Sequence, residues 1–138
     1  MELTNLITLW KITGDTGYLE SALRIESAFG ASVSAEPTAY SMLLSGIMYG
    51  RNGGTEVLLM GESDDPVLIE MLTVLQRGYR PWTTVLFIDP ADASEGPAWV
   101  PDISDSSIIP AAYVCRGGAC SLPVGTAMEL TELLARDH

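Results

Sequence analysis

Histidine is all but missing: the one copy in 138 residues is His138. Without a histidine elsewhere, a Ser-His-Asp or Cys-His catalyst has no base to take up a proton. Cysteine is nearly as scarce. Cys115 and Cys120 together with a terminal histidine cannot supply the four ligands of a zinc site within one chain, and neither a metal nor a cofactor is expected. Cations are outnumbered, with 7 Lys and Arg against 18 Asp and Glu, a formal net charge of −11. Neutralising phosphates takes clustered Lys and Arg, so this balance disfavours nucleic acid and anionic membrane surfaces as partners. No stretch approaches the roughly 18 apolar residues of a transmembrane helix. The N-terminus lacks the basic segment that opens a signal peptide. Two cysteines without a secretion signal point to the cytoplasm, where a structural disulfide is unusual.

What the chain has in plenty is apolar surface. Apolar residues make up 47% of it and the mean hydropathy is +0.23. At 138 residues the chain makes one domain or slightly more, and a core of that size hides less than the sequence supplies. The surplus predicts a partner surface: a second copy of the chain, or docking on the remainder of a longer protein.

The predicted architecture is α/β. An N-terminal helical hairpin and a third helix occupy 1–52; a small βαβ module with an added β-hairpin and a closing helix occupies 53–138. Leu3, Leu6, Ile7 and Trp10 recur at helical spacing. Gly14 suits the position just past a helix end, and Asp15 or Thr16 can cap the next start; capping, not catalysis, is the expected role of Asp15. A second helix is predicted over about 17–29, burying Tyr18, Leu19, Ala22, Leu23 and Phe29, with a loop over 30–36. Pro37 fits the first turn of a third helix running to about Tyr49. No charge falls between Glu36 and Arg51, so this helix reads as buried on most sides. Tyr40 and Tyr49 are candidate ligand-lining residues, since a tyrosine ring offers a sugar a broad apolar face with a polar tip; core tyrosines are the commoner case.

Residues 51–55 read as the internal boundary. The apolar run at 56–61 predicts a strand covered on both faces. Asp65 and Pro66 predict the cap and first turn of a helix to Gln76 or Arg77, with Val67, Leu68, Met71, Leu72 and Leu75 on its apolar face. TTVLFID at 83–89 predicts a second buried strand. Strand–helix–strand at this spacing is a βαβ unit with parallel strands and a right-handed crossover. Nucleotide phosphates bind at the strand-to-helix turn of such units. Here Glu62, Asp64 and Asp65 already place negative charge there, and neither a dinucleotide glycine fingerprint nor a P-loop lysine is present. Residues 90–110 hold four prolines and no periodicity, the mark of a long loop. Trp99 and Val100 are expected to pin it, and Trp99 joins the two tyrosines as a candidate ligand-lining residue. Its acids read as solvated, not as calcium ligands.

The reactive side chains lie in 111–124, AAYVCRGGACSLPV. Two short apolar stretches about Gly117-Gly118 predict a hairpin over 113–124. With a four-residue loop, Cys115 and Cys120 oppose each other at its base, about 4.5 Å apart at Cα as a non-hydrogen-bonded pair, close enough to bridge. A disulfide, a redox-active dithiol and half of a metal site are all sterically open, as are two buried thiols packing as small apolar groups. Arg116 can favour a thiolate, although the spacing is not CxxC. Thr126 can cap a final helix carrying Met128, Leu130, Leu133 and Leu134, with Arg136 suited to its C-terminal dipole.

Three patterns in order cover most of the chain. The first is Thr13-Gly14-Asp15 with Tyr18-Leu19 and Ala22, then Pro37-Thr38-Ala39-Tyr40 with Leu43-Leu44. The second is Glu56-Val57-Leu58-Leu59-Met60-Gly61 with Asp65-Pro66. The third is Tyr113-Val114-Cys115, four residues, Cys120, then Pro123-Val124 before a closing helix. Together they resemble the C-terminal part of the thioredoxin-domain-containing family that includes spermatogenesis-associated protein 20. The resemblance implies a longer protein with a thioredoxin-like domain first and an α/α toroid of the six-hairpin glycosidase type after it. This chain would correspond to the C-terminal portion, with its first helices a remnant of the toroid. The expected function is a non-catalytic structural or assembly module that self-associates, with no activity and no catalytic residues of its own. Two alternatives stand beside it. One is thiol-redox chemistry through Cys115 and Cys120 with Arg116. The other is carbohydrate-related binding, or an isomerase or epimerase role in the full-length protein, by analogy with the toroid fold.

Overall fold

The computed structural model describes residues 2–91 and 108–136. The chain divides into two compact units, Met1–Gly54 and Thr55–His138.

The first unit holds α1 (Glu2–Thr13), α2 (Thr16–Ala35) and α3 (Ser41–Asn52). α1 packs against both other helices, which meet each other only marginally. Leu3 and Ile7 are its buried apolar residues, on the stripe that the spacing predicts. Lys11 is buried too. Its ammonium donates to Gly53 O and lies 5.3 Å from the centroid of the Tyr49 ring, so the charge is paired with a helix-end carbonyl and an aromatic face. Gly14, at φ 73°, closes α1 by donating to Trp10 O at 2.7 Å, and Asp15 Oδ1 caps α2 by accepting from Gly17 N at 2.8 Å.

Four expectations for this unit need correction. α2 continues to Ala35 through the expected loop at 30–36; a glycine inside a helix costs about 1 kcal/mol against alanine, which is not enough to end one. Its fully buried residues are Ala22 and Val33, whereas Leu23 and Phe29 stay 55% and 45% exposed. α3 starts at Ser41 and not at Pro37, because 37–40 form a separate turn in which Tyr40 N–H donates to Pro37 O. Nor is α3 buried on most sides: Gly46, Ile47 and Tyr49 are inside, and Met42 and Met48 are exposed. Its glycine face meets α1, where a Cβ at Gly50 would stand 2.9 Å from Ile7 Cδ1.

The second unit holds β1 (Thr55–Met60), α4 (Pro66–Arg77), β2 (Thr83–Ile88), β3 (Ala111–Arg116), β4 (Ala119–Cys120) and α5 (Ala127–Ala135). The sheet order is β2-β1-β3-β4. β1 and β2 run parallel with Thr55 opposite Thr83; β1 and β3 run antiparallel with Leu58 opposite Tyr113. The chain is thus an α/β fold, a β-α-β unit extended by a hairpin on the far side of β1. Alternation along the strands sorts two faces. Val57, Leu59, Ala112 and Val114 pack with Leu68, Met71 and Leu75 of α4 and with Leu130 and Leu134 of α5. Leu58, Met60, Ile88, Ala111, Tyr113 and Cys115 form the buried cluster on the other face.

Caps fix both helices of this unit. Asp65 Oδ1 accepts from Val67 N at 2.8 Å, with Pro66 in the first turn of α4. Thr126 Oγ1 accepts from Glu129 N, and Glu129 Oε2 accepts in return from Thr126 Oγ1 and Gly125 N, a reciprocal capping box. β2 departs from expectation. It is buried on one face only, with Val85 and Phe87 38% and 45% exposed on the face that carries the helices. α4 and α5 cover β1 and β3 and leave the outer strand open. Among the described residues no helix is long and apolar enough to cross a membrane.

Candidate functional site

The hairpin is tighter than its spacing predicts. Gly117 and Gly118, at φ 55° and 84°, form a two-residue turn of the type I′ kind, and Arg116 pairs directly with Ala119. One step out, Ser121 N–H donates to Val114 O at 2.9 Å and Val114 N–H donates to Ser121 Oγ at 3.1 Å. Val114 and Ser121 therefore take the hydrogen-bonded position, and Cys115 and Cys120 take the non-hydrogen-bonded position between it and the turn, where side chains come closest. Their Cα atoms are 3.9 Å apart and the two sulfurs are joined as a disulfide. Of the states that the spacing leaves open, this one is present, and the thiol pair is not available to a metal in it.

The two sulfurs have unequal surroundings. Cys115 is 1% exposed, packed in the cluster with Tyr113 and Leu58; Cys120 is half-buried at the end of β4. The register sets Glu56 opposite Cys115 and Thr84 opposite Glu56. Paired residues share a face, so Thr84, Glu56, Cys115 and Cys120 form one row across all four strands. Glu56 and Thr84 are both buried. Sequence reasoning misses Glu56, which reads only as the first residue of an apolar run. Its signal is strand parity combined with a register that the sequence does not contain.

Arg116 lies elsewhere. Alternation turns it to the face opposite Cys115, where Nη2 stands 3.5 Å from Leu133 O in the last turn of α5. A cation there complements the carbonyl end of a helix, and it does not share a face with the disulfide. Tyr40 and Tyr49 have different ring neighbours. The Tyr40 ring lies 6.4 Å from that of Phe29 at an interplanar angle of 47°, while Tyr49 is 2% exposed beneath Lys11. Neither lines the groove of about 510 Å³ between α2 and α3, whose walls include Leu23, Val33, Leu44 and Ile47 with the paired Glu26 and Arg51. Trp99 lies outside the described residues. A second groove, about 420 Å³, runs between α4 and β2. It is lined by Leu59, Leu68, Ile69, Leu72, Val85 and Phe87, with Ser63 its one polar residue. Among the described residues no three His, Cys, Asp or Glu side chains gather where a metal ion would sit.

Fold and site together define a small mixed-sheet α/β module with a cross-strand disulfide and an open apolar groove, continuous in sequence with a three-helix unit. Compared with known proteins, the chain matches no family model, no curated protein and no solved structure.

Proposed function

We propose that this chain is a non-catalytic structural or assembly module, acting in the cytoplasm by self-association or by docking on the remainder of a longer protein. The resemblance to the C-terminal part of the thioredoxin-domain-containing family supplies the context, in which the first helices are a piece of an α/α toroid. One observation carries the reading. Ile69, Leu72, Val85 and Phe87 are large, apolar, exposed and contiguous along a single groove, and a patch of that kind on a water-facing surface marks a place where something packs. Light scattering alongside thiol titration tests it: a self-associating chain with inert sulfurs supports the reading.

A second reading has its own support in the disulfide. Thiol–disulfide exchange needs a sulfur within reach of an attacking thiolate, and Cys120 is the more exposed of the pair. If the bond equilibrates with glutathione in a monomeric chain, the redox reading replaces the first. The sugar-directed reading draws no support from the groove between α2 and α3, which neither Tyr40 nor Tyr49 lines.

A further inference from the structure

We infer that β2 is the edge on which a second copy of this chain pairs. Two β2 strands run antiparallel about a two-fold axis at Val85 and join two four-stranded sheets into one. The inference rests on the assembly reading above and specifies its seam.

The backbone sets the geometry. Thr55 N–H donates to Trp82 O at 2.9 Å and Gly61 N–H donates to Ile88 O at 3.3 Å. The even-numbered residues of β2 therefore turn their peptide groups towards β1. In a parallel ladder the alternate residues turn theirs the other way. Val85 and Phe87 thus direct N–H and C=O groups away from β1, and Thr83 its C=O, while Thr83 N–H donates to Arg80 O at 3.1 Å; among the described residues no strand pairs with that side. Proteins usually blunt such an edge with Lys, Pro, a bulge or a very short strand. TTVLFI at 83–88 has six residues, no charge and no proline.

The same three residues match their own symmetry mates. With Val85 on the axis, Val85 exchanges both its bonds with its mate, and Thr83 meets Phe87, whose N–H faces the Thr83 C=O. Odd positions meet odd positions, which keeps each pair on one face of the joined sheet. A slip of one residue would set the open face against the buried one. Val85 and Phe87 also wall the apolar groove with Ile69 and Leu72, and the two-fold axis brings both grooves to the same seam. Charge agrees with direction. Arg80 precedes the strand and Asp89 follows it, so antiparallel pairing sets the basic end of each copy beside the acidic end of the other. That attraction acts locally in a chain whose net charge of −11 otherwise opposes self-association.

Sedimentation velocity of the full chain over a range of concentrations tests the seam. Val85→Lys opposes two cations on the axis. Val85→Pro removes an outward N–H while leaving the β1 ladder intact, a position where proline is tolerated. The wild type is expected to dimerise, and either variant to weaken the dimer by about a hundredfold or more with unchanged far-ultraviolet circular dichroism. Val85→Cys is expected to form a covalent dimer on mild oxidation, and Met128→Cys on the exposed face of α5 is not; this arm decides the matter even if the proline variant fails to fold. A dimer that survives Val85→Lys, or fails to cross-link through Val85→Cys, overturns this seam and leaves the assembly reading standing. A chain monomeric at every concentration overturns self-association altogether. A monomer whose β2 edge takes an extended peptide from another protein overturns the choice of a second copy.

Discussion

Cys115 and Cys120 are five positions apart, so their bond closes a small ring. For a loop this short the chain-entropy model gives about 2 kcal/mol of stabilisation. Replacing both cysteines with alanine is expected to lower the unfolding free energy by about that amount in a urea melt. Reduction has a direction as well. Cys120 is a half-buried residue and Cys115 is 1% exposed, so an attacking thiolate is expected to reach Cys120 first. Brief treatment with glutathione, quenched by acid, is expected to leave the mixed disulfide on Cys120, read by peptide mass mapping; a mixed disulfide on Cys115 would show that the hairpin opens first. The hairpin itself is legible in the sequence, because two adjacent positions of positive φ call for Gly117-Gly118. The bonding state of the thiols is not legible, since spacing permits several. The face taken by Arg116 follows from simple alternation: a residue next to a cysteine along a strand points away from it.

Among the elements, α4 announces itself most clearly, since Asp65-Pro66 before it and Gly78 after it punctuate a periodic apolar stretch. α2 carries no comparable stop signal, and its last turns are invisible to a reading that treats Gly30 as a break. A Cβ at Gly30 would find nothing within 4 Å, and the residue sits within the helix. Gly30→Ala is therefore expected to stabilise the protein by up to about 1 kcal/mol, seen as a raised melting temperature; a loss of stability would place Gly30 outside a helix. Gly61 is the opposite case. Its φ is 155° and an added Cβ would lie 2.4 Å from Leu68 Cδ1 and 3.1 Å from Pro110 Cβ, so Gly61→Ala strains the backbone and displaces the buried Leu68 side chain. A cost of about 1–3 kcal/mol is expected from such overpacking, measured by chemical denaturation. β2 shows why burial is harder to read than strand formation. An apolar run marks a strand, but whether helices cover it depends on its place in the sheet, and the order β2-β1-β3-β4 leaves this one at the margin.

For the molecule as a whole, charge and grease pull in opposite directions. Thirteen of the 18 acidic residues lie in Thr55–His138, the unit that also carries the open apolar groove. Association of that unit must overcome like charge, so added salt is expected to strengthen it by screening. If folding is linked to pairing, the melting temperature rises with protein concentration; it is expected to do so in the wild type and not in Val85→Lys. The division into two units is legible as a glycine-rich break between a helix whose one charge is Arg51 and an apolar strand, with Gly53 and Gly54 at φ 80° and 64°. The opposite margin of the sheet sets a limit of its own. β4 is two residues long, a stub that gives a further strand almost nothing to hold. Among the described residues, a sheet with one long rim and one stub offers one full-length edge. Whatever joins at the long rim completes the particle instead of seeding a filament, so concentrated solutions of this chain stay free of thioflavin-binding fibres where a sheet with two long rims would polymerise.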